Sequence, residues 1–460
     1  MDPLEAISPI DGRYRNIVKD LEGEFSEKAL ISKRLVVEGE YLIALSENGN
    51  LKLRNFSEEE KDLIRKLYKP TLEEAQIVKD IEKKGYKNIR ATNHDVKAVE
   101  YYFKEKLKDT SLHDITEWIH FGLTSEDTNN IAYGLILSNS VENFILKDLG
   151  ELRNKIDSLA NSYKRTPILA RTHGQPASPT TFGKEFKVYS SRLERQLDQL
   201  SHSEILVKLN GATGNYNAHN IAFPNVNWIE FTKDFIKSFN MRRNIKLKPN
   251  LITTQIEPHD TYAELFDNIR RANTILIDFD HDMWRYISDD WIIQKPVEGE
   301  VGSSTMPNKI NPIDFENSEG NLGLANALFI HFSTKLPISR LQRDLSDSTV
   351  ERNFGPAFAH SIIGYKSALK GLSKIAINEG KVIEELENHP EVISEAIQTI
   401  LRKEGYEMPY EKLKELTRGK KLTMQDFSNF ISQLDISDYV KEQLHKISPK
   451  NYTGLAEFLV

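Results

Sequence analysis

Residues 261–288 read TYAELFDNIRRANTILIDFDHDMWRYIS and contain neither glycine nor proline. Tyr262, Leu265, Phe266, Ile269, Ala272, Leu276, Phe279, Met283 and Ile287 recur at steps of three and four, which lays them along one face of a helix. Working outward, three further segments repeat the pattern. From Val141, the residues Phe144, Ile145, Leu149, Leu152, Ile156 and Leu159 keep the same spacing. A stretch from about Asp314 to Lys335 stops short of Pro337, and one from about Ala357 to Ile377 places Ile362, Leu369, Leu372 and Ile375 on one side. Period-two alternation is scarce. The 23 glycines and 17 prolines among 460 residues fall below the ~12% combined share of average sequences, as expected where helix dominates. The expected fold is all-α, built around a long bundle. Its apolar faces are broader than one subunit of this size needs to bury, which reads either as a thick monomeric core or, in the preferred reading, as helices packing across an obligate oligomer.

Composition shifts suggest three regions. Residues 1–112 are charge-rich with short helices, 113–365 hold the long helices and the polar, glycine-punctuated strings, and 366–460 return to short charged segments. There is no internal repeat and no low-complexity tract.

The formal charge of −7 excludes a general nucleic-acid or anionic-membrane binder, since both need a basic footprint. It leaves room for a small basic pocket. With no cysteine, disulfides, thiolate nucleophiles, iron–sulfur clusters and cysteine zinc sites are all excluded. The opening residues lack a basic region followed by an apolar one, and no apolar run approaches the ~20 residues of a spanning helix. A cytoplasmic protein is expected. No GxxxxGK[ST] and no HExxH occurs, and the 12 histidines show no zinc-ligand spacing. His113 and His120, seven apart, would share one face if that stretch is helix, in a packing or capping role. Gly211-Ala-Thr-Gly214 reads as a turn.

Six strings are unlike helix surfaces. Gly302-Ser-Ser-Thr-Met-Pro-Asn-Lys-Ile-Asn-Pro312 is kept out of helix by its glycine and prolines, and offers hydroxyl, cation and amide groups. Such a mix suits a loop that closes over an anionic substrate. The others are Arg171-Thr-His-Gly-Gln-Pro176, Thr92-Asn-His-Asp95, Gly122-Leu-Thr-Ser-Glu126, Thr254-Gln-Ile-Glu-Pro-His-Asp260 and Ser339-Arg-Leu-Gln-Arg-Asp344. Converged, they would hold a ligand with several carboxylates or a phosphate.

The 302–312 string resembles the signature loop of the fumarase/aspartase superfamily, whose members eliminate across a C–N or C–O bond and release fumarate. Its continuation Ile313-Asp-Phe-Glu-Asn-Ser-Glu-Gly-Asn321, together with 171–176, 253–260 and 335–343, is similar to the bacterial-type adenylosuccinate lyase family. The resemblance runs from Ser8-Pro-Ile-Asp-Gly-Arg-Tyr14 to Pro409-Tyr-Glu-Lys-Leu-Lys-Glu-Leu-Thr-Arg-Gly419. Two departures stand out. Asn308 occupies a position where this family often has His, and Met241-Arg-Arg-Asn-Ile-Lys-Leu-Lys248 is longer and more basic than expected, reading as a solvated loop.

The resemblance implies anti elimination of fumarate from adenylosuccinate, giving AMP, and from the succinyl-carboxamide intermediate SAICAR, giving AICAR. It implies no cofactor and no metal. It implies three all-α domains, the central one a five-helix bundle, pooled as a twenty-helix core in a homotetramer whose sites draw on three chains. It assigns Ser303 as general base, with the adjacent Ser304 the alternative, and Lys309 with loop backbone N–H groups as stabilisers of its alkoxide. His173 becomes the general acid, and His94 a residue that holds phosphate or orients the acid. Arg13, Tyr14, Asn93, Asp95, Thr124, Ser125, Gln255, Asn311, Asn317, Arg343, Ser348 and Arg352 become substrate contacts. Thr124 and Ser125 would lie near the fumaryl carboxylates, and Arg13, Tyr14 and Arg352 on the phosphate side. Asp95 could equally cap the helix that begins at Val96. Other lyases of the superfamily, or a structural protein reusing the scaffold, are the rival readings.

Overall fold

A computed structural model describes residues 2–241, 243–295, 306, 309–418 and 422–460. In chain order the principal elements are α1 (Glu27–Ser46), α2 (Asp95–Leu107), α3 (Ser125–Ser140), α4 (Leu146–Ser162), β1 (Pro167–Thr172), β2 (Gln175–Thr181), α5 (Phe182–Ser201), β3 (Glu204–Val207), β4 (Lys246–Pro249), α6 (Asp260–Ser288), β5 (Ile292–Gln294), α7 (Ile313–Lys335), α8 (Phe354–Ser373) and β6 (Ile375–Ile377). Short helices take up much of the other described residues, including five α-helices between Glu379 and His445. The all-α expectation holds: among the described residues the strands are short and form three two-stranded pairs, β1–β2 and β5–β6 antiparallel and β3–β4 parallel.

The segment that decides the fold is helical from Asp260 to Ser288, and its predicted apolar stripe is buried at every position from Tyr262 to Met283. Val141–Ile145 forms a single π-helical turn that joins α3 to α4, and Val141, Ile145, Leu149, Leu152 and Ile156 are fully buried.

The chain divides into two compact units, one of residues 1–149, 196–274 and 320–365, the other of 150–195, 275–319 and 366–460. Every boundary falls inside a long helix and none in a loop. The first unit's core is an aromatic cluster: Phe266 lies 4.9 Å from Phe354, 5.5 Å from Phe332 and 5.6 Å from Phe329, ring centre to ring centre. The second unit is built around Phe182, Tyr189, Phe279, Tyr286 and Trp291. Burying each such side chain stabilises by roughly 1.5–3 kcal/mol, and edge-to-face geometry adds to it.

Three local expectations need correction. The fourth predicted helix ends at Ser373, and Ile375–Ile377 instead pairs with Ile292–Gln294; β-branched isoleucines beside an unpaired strand edge favour the ladder. His113 and His120 do not share a helical face. The helical turns end at Trp118, and His120 sits in the left-handed region (φ 61°) with Nδ1 2.6 Å from Glu38 Oε1. The basic stretch 241–248 is not a solvated loop where described. Lys246–Pro249 is strand β4, Leu247 is buried, and the Arg243 Nη1 donates to Asn139 Oδ1 while the Ile245 N–H donates to Glu142 Oε1 at 2.6 Å. Arg243 stems and strand pairing bury what charge counting assigned to solvent.

Candidate active site

Eleven of the sequence-predicted site residues fall in the first unit and four in the second. Ser303, its neighbour Ser304 and Asn308 lie outside the described residues.

In the first unit, Asn93, His94 and Asp95 form the start of α2. Asn93 takes a left-handed conformation (φ 49°), which turns the chain into the helix and is a conformation that Asn tolerates better than most residues. The helix cap is His94, not Asp95: its Nδ1 accepts the Lys97 N–H at 3.3 Å. An accepting Nδ1 leaves the proton on Nε2, so the half-exposed ring presents an N–H outward. Asp95 is the hub of an ion network. Its Oδ2 accepts from Arg34 Nη2 at 2.7 Å and from Arg352 Nη2 at 2.8 Å, while Arg352 Nη1 reaches Glu27 Oε2 at 2.7 Å. Burial opposes its charge, but the two guanidiniums win and hold the carboxyl down at about 2. Asp95 and Arg352 were expected to meet substrate separately; the fold brings them together as partners.

Thr124 is the N-cap of α3, its N–H donating to Asp127 Oδ2 at 2.9 Å, and Ser125 opens the first turn. Helix N-termini favour carboxylates, which suits the expected role of this pair. The approach to the cap is tight. Gly122 has φ 71°, and a Cβ there would sit 2.8 Å from His219 Nε2. Asp127, fully buried, also accepts from Lys208 Nζ at 2.7 Å and from the backbone N–H groups of Asn210 and Gly211. This ties the Gly211–Gly214 turn, a turn as predicted, to the α3 start. At Gly214 (φ 80°) a Cβ would meet the Thr253 carbonyl at 2.3 Å. The 253–255 string is thereby seated, and Gln255 Nε2 donates to the Ala212 carbonyl at 3.2 Å.

Gln255 and Arg343 also converge: the Gln255 N–H and the Thr254 hydroxyl both donate to the Gln342 carbonyl, at 3.3 and 2.8 Å. Arg343 is mostly buried, its Nη2 3.1 Å from Glu126 Oε2. Ser348 is half-buried in the helix Ser346–Glu351. Arg13 is exposed, its guanidinium 5.9 Å from the centre of the Tyr14 ring.

In the second unit, His173 stands at the exposed turn between β1 and β2 with φ 53°. Arg171 in the same hairpin reaches Glu385 and the Gly174 carbonyl. Lys309 is exposed, its N–H donating to the Met306 carbonyl, and Asn311 is half-buried. Asn317, on the first turns of α7, donates to Ser367 Oγ at 3.0 Å.

Residue reading missed a buried set behind Arg343. Glu126, His259 and Glu351 each offer an atom within 4.8 Å of the others. Two of them stand inside quoted strings, but spacing says nothing about which side chain of a polar string turns inward. Burial pushes Glu126 up to about 7 and lowers His259 to about 4. These three are also the described residues that could hold a metal ion, although the Arg343 guanidinium already supplies positive charge to Glu126.

The chain matches the lyase family over residues 12–326 and the adenylosuccinate lyase C-terminal family over 339–453. It is 48% identical to adenylosuccinate lyase of Haemophilus influenzae over 463 residues, covering 100% of this chain and 99% of that one. Identity is 49% to the Dictyostelium discoideum adenylosuccinate lyase (99% and 97% covered) and 47% to that of Escherichia coli K12 (100% and 99%). Among solved structures, a fumarate lyase from Mesorhizobium sp. BNC1 matches with a TM-score of 0.72 at 16% identity, covering 96% of both chains. The 3-carboxy-cis,cis-muconate lactonizing enzyme of Pseudomonas putida also gives 0.72 at 16%, covering 96% and 95%. These two share the fold. With relatives near half identity over its whole length, the chain belongs to the adenylosuccinate lyase family.

Proposed function

We propose that this lyase eliminates fumarate from adenylosuccinate, giving AMP, and from SAICAR, giving AICAR, in purine nucleotide biosynthesis. The observation that carries the reading is full-length identity near one half to adenylosuccinate lyases of three organisms.

The chemical difficulty is that the proton to be removed lies beside a carboxylate and is very weakly acidic. A base takes it, the electron pair forms the C=C bond of fumarate, and the C–N bond breaks as the departing nitrogen receives a proton from the opposite face. Ser303 is the base in this reading, with Lys309 and loop N–H groups stabilising its alkoxide. His173 is the acid, because imidazole can deliver a proton near neutral pH. Its place at the exposed turn between β1 and β2 supports the role, since a group there is open to a bound substrate. Thr124 and Ser125 lie near the fumaryl carboxylates, which Lys309 and Asn311 also face, and Arg343 adds a guanidinium contact to the substrate. His94, through its outward Nε2–H, serves the phosphate or the acid. Arg13, Tyr14, Ser348 and Arg352 lie on the phosphate side, and Asn93, Gln255 and Asn317 add amide contacts. Asp95 acts on substrate through Arg352.

The protein works as a cytoplasmic homotetramer with domains 1–112, 113–365 and 366–460, its long helices pooled into one core and each site drawing on three subunits. Two features support this. An acid as exposed as His173 needs a covering surface to exclude water. The long helices also expose Val188, Trp284, Leu324 and Ile330, more apolar surface than an isolated helix face should leave wet. No helix among the described residues is long and apolar enough to cross a membrane.

Purified protein given adenylosuccinate, with argininosuccinate and malate in parallel, tests the reading by proton NMR. Fumarate from adenylosuccinate alone is expected. Fumarate from another tube reassigns the substrate, and none from any tube overturns the activity.

A further inference from the structure

Arg343 is held from behind by more negative charge than it can balance. Its Nη2 lies 3.1 Å from Glu126 Oε2 and 3.7 Å from Asp347 Oδ2, and both carboxylates are buried. One layer deeper, Glu351 Oε1 lies 3.5 Å from His259 Nε2, again in full burial. Neither oxygen of Glu126 and neither ring nitrogen of His259 makes a hydrogen bond of good geometry. His259 is also strained, with φ 63° at the residue that launches α6.

Lys208 and Arg34 also act on this cluster but are paired with Asp127 and Asp95, so three ionised carboxylates around Arg343 would leave a buried negative excess, which a low-dielectric interior does not tolerate. The cluster therefore keeps protons. Burial, with Glu126 and Asp347 as neighbours, pushes Glu351 far above the carboxylate range, and burial keeps His259 neutral. A protonated Glu351 facing a neutral imidazole can share its proton there, which leaves Glu126 and Asp347 to face Arg343. The Gln342 carbonyl, pinned by the Thr254 hydroxyl and the Gln255 N–H, fixes the backbone from which Arg343 projects. The backbone is thus clamped by hydrogen bonds, and the guanidinium is held by charge at 3.1 and 3.7 Å.

We propose that Glu126 is a positioning residue: its carboxylate, backed by the His259–Glu351 pair, holds the Arg343 guanidinium in the one orientation that receives a substrate carboxylate. This rests on the reading of Arg343 as a substrate contact. Such a cluster has a signature that a structural ion pair lacks. Replacing Glu126 by isosteric Gln relieves a desolvation cost, so stability should hold or rise while substrate binding is lost.

The test is a double-mutant cycle of Glu126→Gln and Arg343→Lys, read as kcat/KM on adenylosuccinate and as Tm of the intact enzyme. Arg343→Lys should lower kcat/KM by about a hundredfold, since lysine cannot reproduce the planar fork. Glu126→Gln should lower it by roughly ten- to thirtyfold, mostly through KM and with Tm no lower than wild type; the double variant should be no worse than Arg343→Lys alone within about twofold. Multiplicative effects in the double variant, or wild-type kcat/KM in Glu126→Gln, overturn the proposal. So does parallel loss of Tm and activity. If Glu126→Gln does not fold, Glu126→Asp decides: raised KM at wild-type Tm supports positioning, and unchanged KM refutes it. An unaffected Arg343→Lys would instead overturn the substrate role of Arg343.

Discussion

The two units differ in how they hold their charged groups. In the first, the predicted substrate contacts at the α2 and α3 starts rest on ion pairs whose cations are buried, Lys208 at 0% exposure beside an equally buried Asp127 and Arg34 at 2% beside Asp95 at 25%. In the second, His173 stands on a hairpin tip and Lys309 is exposed. The contrast fits a division of labour. Groups that must hold a polyanion in one geometry gain from a rigid, desolvated frame. A group that must gain and lose a proton each turnover gains from being placed where a covering element can come and go.

The largest effect expected is that of His173→Ala. It should lower kcat by about 10²–10⁴-fold, the usual contribution of a positioned general acid, with an unchanged circular dichroism spectrum and melting point. A drop in melting point would break the comparison by making His173 a structural residue. Next comes Lys208→Met, which leaves Asp127 buried without its cation and should cost about 3–5 kcal/mol in chemical denaturation. A loss under one kcal/mol would show that the N–H groups of Thr124, Asn210 and Gly211 suffice for Asp127.

Asp95→Asn should be smaller. The Asp95 carboxyl is held at about 2 in the folded chain against an ordinary ~3.9, so its ionised form contributes about 2 kcal/mol. A depressed carboxyl contributes fully above the unfolded value and loses that contribution as pH falls through about 4 to 2. Urea titrations at pH 7 and near pH 3 should show Asp95→Asn costing its full amount at the former and about half of it at the latter. The smallest change expected is in the second unit, where Arg171→Ala removes a half-exposed pair with Glu385. Its stability effect should stay within ~1 kcal/mol, as for surface pairs generally, although kcat can suffer because the hairpin carries His173.

Much of this was legible in the residues, for uneven reasons. The stripe from Tyr262 to Met283 was visible because a period near 3.6 over twenty-odd residues admits no other element. Gly211–Gly214 was visible as a turn because two glycines three apart lead into no binding fingerprint, and both take positive φ in the fold. The β1–β2 hairpin was not read as strands, because Gln175–Thr181 carries two prolines and no alternation. The stretch 241–248 was misread for a related reason: Lys246 and Lys248 flank a buried Leu247, and charge dominated the reading.

Among the site residues, identity and place came apart. His94 and Asp95 were found as a pair, yet which of them caps α2 depended on backbone angles at Asn93 and His94 that no pattern of residue types encodes. Local order along the chain therefore settled the helices, the turns and the polar strings, because helix periodicity and backbone sterics act over a few neighbouring residues. Which carboxylate faces which cation was settled by folding alone. Arg34 meets Asp95 across 61 positions, Asp127 meets Lys208 across 81, and Arg343 meets Glu126 across more than two hundred. Coulomb attraction and desolvation act through space, and only the packed chain brings those groups within reach of one another.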